Sequence, residues 1–225
     1  MNKVFVLLVL VLSASACAAE PTQTQLPSPI PTHTALPVET AIPESTEAMV
    51  TGTATVSTVP AADDFFIQMG ISLPAPVCNG LTQPQTEGPY YKADTPARNT
   101  LYEEGMEGTR LILVGYVLDQ SCNPLPNAWL DFWQADARGE YDNAGYRLRG
   151  HQFADEQGRY YLETVLPGLY LSRPIEHIHV KVRPEGGEEI ISQLYFPDQP
   201  VEGLTVQLED RGDHTVGYFN FVVQR

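Results

Sequence analysis

Basic residues are scarce in this chain of 225 residues. It has 13 Lys and Arg against 28 Asp and Glu, which gives a formal net charge of −15 at pH 7. Proteins that bind nucleic acids normally carry a basic patch that neutralises phosphates and releases counterions. The sequence therefore predicts no nucleic-acid partner.

The chain also lacks a long apolar run near its beginning. Val4 to Leu12 is too short to span a bilayer but fits the apolar region of a signal peptide. Ala14-Ser15-Ala16-Cys17 follows and resembles a bacterial lipobox, in which cleavage leaves a lipidated cysteine. We expect residues 1–16 to be a signal peptide and Cys17 to carry a lipid. The protein would then be exported and anchored on the extracytoplasmic or extracellular side; an ordinary cleavage site beside a stray cysteine is the alternative.

Cysteine is rare as well, with three in the whole chain. If Cys17 carries lipid, Cys78 and Cys122 remain as an even pair in an oxidising compartment, where a disulfide persists. Two separate buried thiols are the alternative. The cysteines are not placed like structural zinc ligands.

Aromatic residues are few between Glu20 and Ala62, where Pro, Thr, Ser and Ala dominate and no helical or strand period is sustained. Such a segment buries too little apolar surface to offset its ordering entropy. We interpret residues 17–62 as a lipid-anchored disordered linker and residues 63–225 as a single folded domain. His33 lies in this linker and is not counted as a ligand.

The remaining sequence is typical of an all-β protein. Short runs of aromatic and β-branched residues alternate with turn formers, and no long segment keeps a helical period. The spacing predicts a β-sandwich of mostly antiparallel strands. The predicted strands are Arg110 to Leu118, Ala128 to Ala135, Arg159 to Val165, His177 to Arg183, Ile190 to Tyr195 and Tyr218 to Val223.

One predicted strand separates two chemically different faces. Ile178, Val180 and Val182 point to one side, whereas His177 and His179 point to the other. The strand rise places the two histidines about 7 Å apart at their α-carbons, which allows both imidazoles to reach one ion. A surface strand with two solvated histidines is the alternative.

Two tyrosines stand near this strand in sequence. Tyr170 precedes His177 by seven residues, and Tyr141 follows a turn-rich segment. A free phenol titrates near pH 10, so a strongly charged cation is needed to hold two phenolates at neutral pH, and ferric iron fits better than zinc or ferrous iron. We interpret six other tyrosines as packing residues, namely Tyr116, Tyr146, Tyr160, Tyr161, Tyr195 and Tyr218. We interpret His151 and His214 as surface loop residues.

Several segments, in this order, resemble the intradiol ring-cleavage dioxygenase family, which includes catechol and protocatechuate dioxygenases. The similarity extends from Cys78 to the end of the chain, and a secreted branch of the family has cysteines in similar places. The matching segments are Thr86 to Tyr91, Asn127 to Ala128, Trp133 to Asp136, Gly139 to Tyr141, Pro167 to Tyr170, His177 to His179 and Gln193 to Phe196.

The resemblance implies a non-haem ferric ion and a small aromatic diol substrate that reacts with dioxygen to give a muconate-type diacid. The implied iron ligands are Tyr141, Tyr170, His177 and His179. The implied catalytic residues are Tyr170, which the substrate displaces, Arg173, which offsets substrate charge, and Gln193, which positions the ring. The implied substrate-binding residues are Pro89 and Tyr90.

The chain departs from the family pattern at Pro174-Ile175-Glu176, which holds one residue more than expected between Arg173 and His177. The expected role of Arg173, and to a lesser degree that of Tyr170, depends on how this longer connection folds. The helical segments that form the dimer interface of catechol dioxygenases have no counterpart in the sequence, and the oligomeric state is left open.

Two other interpretations remain. Residues 114–119 and 155–161 look like the strand and turn signals of transthyretin-like domains, which favours a non-catalytic binding or display module at the cell surface. A family member that has lost its iron is the second. Both predict a colourless protein, whereas ferric tyrosinate absorbs visible light.

Overall fold

The computed structural model describes residues 62–170 and 173–225. The predicted signal peptide, the lipidation of Cys17 and all but the last residue of the predicted linker lie outside these residues. Leu171 and Ser172, next to Arg173, also lie outside them.

The described residues form two β-sheets packed face to face, which confirms the predicted all-β sandwich. A five-stranded sheet has the order β4-β1-β8-β7, with β9 also paired to β1, and a four-stranded sheet has the order β3-β2-β5-β6. Pairing is antiparallel except between β1 and the strands β8 and β9. The strands are β1 (Arg110–Leu118), β2 (Trp129–Gln134), β3 (Arg149–Phe153), β4 (Arg159–Val165), β5 (His177–Arg183), β6 (Ile190–Tyr195), β7 (Gln207–Asp210), β8 (Thr215–Tyr218) and β9 (Phe221–Val222).

Four strands, β1, β4, β5 and β6, have the predicted bounds. The predicted strand from Ala128 to Ala135 is one residue shorter at each end. The predicted strand from Tyr218 to Val223 is wrong in its bounds, because two strands, β8 and β9, share that region. Strands β3 and β7 were not predicted. Neither alternates apolar and polar residues, and all four residues of β7 are exposed.

Alternation along the strands builds the core. Leu130 and Phe132 of β2 and Ile178, Val180 and Val182 of β5 are fully buried in the main hydrophobic cluster between the sheets. The neighbouring residues of these strands point to the opposite side of the four-stranded sheet, which we call the outer face. This confirms the predicted division of β5 into an apolar and a histidine-bearing side.

A short helix, α1 (Ala62–Gln68), covers part of the five-stranded sheet. Phe65 stacks on Tyr161 of β4 with ring centroids 3.7 Å apart, and Phe66 joins the same buried cluster. No helix in residues 62–170 and 173–225 is long and apolar enough to cross a membrane. The sequence analysis did not predict α1, because a segment this short shows no helical period.

Cys78 and Cys122 form a disulfide, with their α-carbons 5.7 Å apart. The bond joins the extended segment after α1 to the loop between β1 and β2. The predicted cysteine pair is therefore present in the structure.

Candidate metal centre

The loop that carries Tyr141 is organised by the buried carboxylate of Asp136. Its Oδ1 accepts hydrogen bonds from the backbone N–H groups of Arg138 (3.0 Å) and Glu140 (2.9 Å). Its Oδ2 accepts a 2.6 Å hydrogen bond from Arg147, which also forms an ion pair with it. Because these bonds fix the turn directly before Tyr141, the phenol is presented from a rigid support.

Two glycines let the Tyr141 loop touch the loop that carries Tyr170. A Cβ added to Gly139 would lie 2.0 Å from the carbonyl oxygen of Leu169, and one added to Gly168 would lie 2.2 Å from that of Ala137. Gly139 also has a φ of +81°, which favours glycine. This close backbone approach places the two tyrosine rings in edge contact, with centroids 5.7 Å apart.

The two histidines of β5 converge at their Nε2 atoms, which lie 3.1 Å apart. His177 Nδ1 lies 2.7 Å from the carbonyl oxygen of Ile175. Since a carbonyl can only accept, Nδ1 of His177 carries the proton and donates it. The lone pair of a neutral His177 is therefore at Nε2, as in metal-ligating histidines that donate their other nitrogen to a backbone carbonyl.

Burial keeps both imidazoles in the neutral form that binds metals. Desolvation, with a smaller contribution from nearby Arg173, lowers the pKa of His177 from 6.5 to about 4. Desolvation, His177, Arg173 and Arg149 lower the pKa of His179 to about 2. Both side chains are only 3% exposed.

The Tyr141 hydroxyl oxygen is buried and has no hydrogen-bond partner. Burial raises the pKa of Tyr141 above 10, and the neighbouring Tyr170 adds to the rise. A buried polar atom without a partner is costly, and a bound cation would both pair with this oxygen and stabilise its phenolate. Tyr170 is the fourth residue of the group, and its ring centroid lies 5.9 Å from that of His177.

These donors fit ferric iron. Two hard, anionic phenolate oxygens and two imidazole nitrogens suit a trivalent ion. The Tyr141 ring, whose hydroxyl has no partner, lies with its centroid 6.4 Å from that of His179. In the described part of the chain, no three His, Cys, Asp or Glu side chains come together as an alternative metal site.

The predicted substrate-binding residues form one rim of this site. Tyr90 stacks on Tyr141 at 4.3 Å between centroids and meets Tyr170 edge-on at 5.9 Å. Pro89 is exposed beside it. Gly88 passes directly over His179, because a Cβ at Gly88 would lie 3.2 Å from His179 Cε1. We call residues 86–90 the rim segment.

The two predicted charge-positioning residues are also brought to the site. Gln193 pairs with His179 across β5 and β6, so its side chain shares the outer face. Arg173 donates a 2.9 Å hydrogen bond to the hydroxyl of Tyr195, and the same hydroxyl lies 2.8 Å from Gln193 Oε1. The longer connection after Arg173 thus still leaves its guanidinium beside the histidines.

Sequence reasoning missed three residues of this site. The sequence predicts only packing for Tyr195. This residue stands two positions after Gln193 and therefore lies on the same face of β6. Trp133 stacks on His179 at 4.8 Å with an angle of 9° between the planes. Arg149 is fully buried and donates to the backbone oxygens of Tyr90 (2.6 Å) and Asp142.

Arg149 forms no ion pair with any described carboxylate, and its guanidinium lies 5.9 Å from the Tyr141 ring centroid. A buried arginine gives no periodic signal in a sequence. The positive charge of Arg149 lowers the pKa of Tyr141 and so favours the phenolate form of that side chain.

The two histidines interpreted as surface loop residues lie elsewhere. His214 is in a loop and contacts Asp213 at 2.7 Å. The loop prediction for His151 is wrong, because His151 belongs to β3, where its Nδ1 lies 2.7 Å from the backbone oxygen of Thr95.

The fold and the site together define the class: a β-sandwich protein with two tyrosines and two histidines gathered at one end of a sheet. A family model described as Dioxygenase matches residues 86–204, more than half of the chain. The chain belongs to the intradiol ring-cleavage dioxygenase family.

Relatives of known name agree with this membership. The chain is 30% identical over 112 residues to the protocatechuate 3,4-dioxygenase beta chain of Burkholderia cepacia, covering 42% of this chain and 47% of that one. It is 29% identical over 168 residues to the catechol 1,2-dioxygenase of Acinetobacter baylyi, covering 57% of this chain and 53% of that one. The chain thus spans about half the length of the curated relatives that it matches.

Solved structures show the same architecture. The dioxygenase domain of a dioxygenase carbohydrate-binding protein fusion from Streptomyces sp. SirexAA-E has a TM-score of 0.62 and 40% identity, covering 64% of this chain and 99% of that one. The 3-chlorocatechol 1,2-dioxygenase of Rhodococcus opacus 1CP has a TM-score of 0.59 and 28% identity, covering 64% of this chain and 72% of that one. These similarities argue against a transthyretin-like display module.

Proposed function

We propose that this protein is a non-haem iron(III) enzyme that cleaves the ring of catechol-type compounds between the two hydroxylated carbons, with dioxygen as co-substrate. One observation carries the proposal. The Nε2 atoms of His177 and His179 lie 3.1 Å apart, and the neighbouring Tyr141 ring carries a buried hydroxyl that has no hydrogen-bond partner. A module that only displays a surface has no need for such a set of donors.

Tyr141, Tyr170, His177 and His179 would hold the ion. Ferric iron, when bound there, supplies the Lewis acidity that stabilises phenolates and a deprotonated diol. His177 is oriented by its hydrogen bond to the Ile175 carbonyl, and His179 by the stacked ring of Trp133. These supports keep both Nε2 atoms aimed at one point.

Tyr170 is the ligand that we expect the substrate to displace. Its backbone oxygen accepts a hydrogen bond from the N–H of Arg173, and it lies on a loop outside the two sheets. Tyr170 Oη would accept one of the two protons that the diol loses, and solvent would take the other. Tyr141 stays in place because its loop is fixed by Asp136.

Arg173 offsets the negative charge of the bound diolate, since its guanidinium lies close enough to the site to lower the pKa values of both histidines. Pro89 and Tyr90 form the rim against which the substrate ring lies. Gln193 acts through its neighbours Tyr195 and Thr86.

Oxygen uptake by the purified, iron-loaded protein tests this function. Catechol, protocatechuate and hydroxyquinol are offered in turn, and the ultraviolet absorbance of a muconate-type diacid is followed in parallel. We expect uptake of one dioxygen per diol with at least one of the three, and a visible ferric tyrosinate band in the resting protein. A colourless protein that takes up no stoichiometric ferric iron would contradict the proposal.

We also propose that the protein is exported and held to the membrane by a lipid on Cys17. The Cys78–Cys122 disulfide supports an oxidising compartment. Metabolic labelling with a radioactive fatty acid should mark the wild-type protein but not a Cys17→Ser variant. Equal labelling of both proteins would rule out this anchor.

A further inference from the structure

The hydroxyl of Tyr195 lies between two polar side chains of the site. Arg173 Nη2 is 2.9 Å from Tyr195 Oη on one side, and Gln193 Oε1 is 2.8 Å from it on the other. Tyr195 is only 2% exposed, and Gln193 is fully buried. Water therefore has little access to these bonds.

The chemistry of the groups fixes the direction of each bond. A guanidinium can only donate, so Tyr195 Oη accepts from Arg173 and must send its own proton elsewhere. The Tyr195 O–H therefore donates its hydrogen bond to Gln193 Oε1. The amide nitrogen of Gln193 then points the other way and donates to the backbone oxygen of Thr86 at 2.6 Å. The three side chains form a one-way series from Arg173 to Thr86.

This series connects two separate parts of the site. Thr86 begins the rim segment, which continues over His179 and ends at Tyr90. Arg173 belongs to the loop between Tyr170 and β5. The Gln193 amide oxygen faces Tyr195 and its nitrogen faces Thr86, so Gln193 is placed to hold the rim segment.

Arg173 depends on this contact. Its backbone is held by the Tyr170 oxygen and by the N–H of Ile175, but its guanidinium has the Tyr195 hydroxyl as its only hydrogen-bonded side-chain partner in the described part of the chain. The extra residue in Pro174-Ile175-Glu176 lengthens the connection to His177. A longer connection constrains a flexible side chain less, so a side-chain contact must orient it.

We propose that Tyr195 is a positioning residue whose hydroxyl, together with Gln193, clamps the Arg173 guanidinium to the rim segment. This inference rests on the proposed function, because the clamp matters for binding an anionic diol. Without the hydroxyl, Arg173 is released toward solvent and its charge no longer faces the substrate.

A double-mutant cycle tests the clamp. Wild type, Tyr195→Phe, Arg173→Gln and the double variant are loaded with ferric iron, and the dissociation constant of 4-nitrocatechol is measured under nitrogen, where no turnover occurs. Tyr195→Phe should keep stoichiometric iron and the visible band of the resting protein. It should weaken 4-nitrocatechol binding about tenfold, as expected for the loss of one hydrogen bond to a charged group.

The cycle separates positioning from a general structural effect. If Tyr195 acts through Arg173, adding Tyr195→Phe to Arg173→Gln should change binding by less than about twofold, because interacting residues are not additive. A second variant, Gln193→Met, removes the acceptor of the Tyr195 proton and should weaken binding in the same direction. Equal effects of Tyr195→Phe in both backgrounds would overturn the clamp, as would unchanged binding in the single variant.

Tyr160→Phe is the matched control. Tyr160, in β4 of the five-stranded sheet, is as buried as Tyr195. Its hydroxyl donates one 2.9 Å hydrogen bond to the carbonyl of Phe219, which lies between β8 and β9. This variant should lose thermal stability without any change in 4-nitrocatechol binding. A wild-type protein that binds no iron defeats the proposed function itself, whereas an active wild type with an additive cycle defeats only the clamp.

Discussion

Two neighbouring rows of polar residues on the outer face of the four-stranded sheet differ in how fully their hydrogen-bonding groups are satisfied. In the metal row, built around His177 and His179, the Tyr141 hydroxyl has no partner and two Nε2 atoms face each other. In the next row, Asp131 of β2 pairs with Lys181 of β5. We call this second set the Asp131 row.

The Asp131 row has a partner for each charged group. The carboxylate of Asp131 accepts hydrogen bonds from Thr95 (2.7 Å) and Tyr91 (3.1 Å). The ammonium of Lys181 meets Glu87 at 2.7 Å and lies 3.6 Å from the centre of the Tyr91 ring. Equal burial on one face thus serves two purposes: complete pairing stabilises the fold, and incomplete pairing leaves donors for a ligand.

The largest expected effect comes from removing a donor of the metal row. His177→Ala should abolish iron retention and the visible band, and should lower ring cleavage by ~10³-fold or more, because no ion remains to activate the diol. Iron content and oxygen uptake measure this. His214→Ala, which alters a histidine outside the site, should behave as wild type. Full activity with stoichiometric iron in His177→Ala would refute the ligand assignment.

The metal row should also make the iron-free protein sensitive to acid. The pKa values of His177 and His179 fall from 6.5 to about 4 and about 2, so below pH 6.5 the unfolded chain takes up protons that the folded chain does not. The free energy of unfolding is therefore highest above pH 6.5. It declines as the pH falls from 6.5 to about 4, where His177 also becomes protonated in the folded chain. We expect a loss on the order of 2–4 kcal/mol between pH 6.5 and 4 from urea unfolding.

A double variant, His177→Gln with His179→Gln, provides the comparison for this measurement. Both side chains keep hydrogen-bonding capacity but do not titrate, so stability should depend less on pH than in the wild type. Parallel stability curves for the two iron-free proteins would show that the histidines do not titrate as the structure indicates.

The Asp131 row should respond in the opposite way, through stability and not through iron. Asp131→Ala removes the acceptor of the buried Thr95 hydroxyl and of the half-buried Tyr91 hydroxyl and should cost about 2–3 kcal/mol. Thermal unfolding should move down by roughly 5–10 °C. Iron stoichiometry and the visible band should be unchanged, and Asp213→Ala serves as an exposed carboxylate control. Loss of iron in Asp131→Ala would erase the distinction between the two rows.

The smallest effect is expected at Tyr91. Tyr91→Phe deletes one hydrogen bond to Asp131 but keeps the ring under Lys181 and against Trp133. The expected cost is about 1 kcal/mol in urea unfolding. Because Trp133 stacks on His179, a change in the visible band would reveal that the Asp131 row does influence the metal row.

Much of the β-sandwich and many of the residues of the candidate site could be predicted from the sequence. Alternation in β5 predicted which side the histidines occupy, and the resemblance to a family supplied Tyr141 and Tyr170. Strand β7 was missed because all four of its residues are exposed, so burial leaves no pattern in it. The role of Tyr195 was missed because it depends on the path of a loop, which spacing does not encode.

The disulfide has a consequence for the compartment in which the protein works. The bond between Cys78 and Cys122 closes a ring of chain that contains the whole rim segment and strand β1. Closing a loop of this size restricts the unfolded chain by about 4 kcal/mol. Reduction would remove this restriction and lower the free energy of unfolding, so the stability of the domain is tied to the redox state of its surroundings.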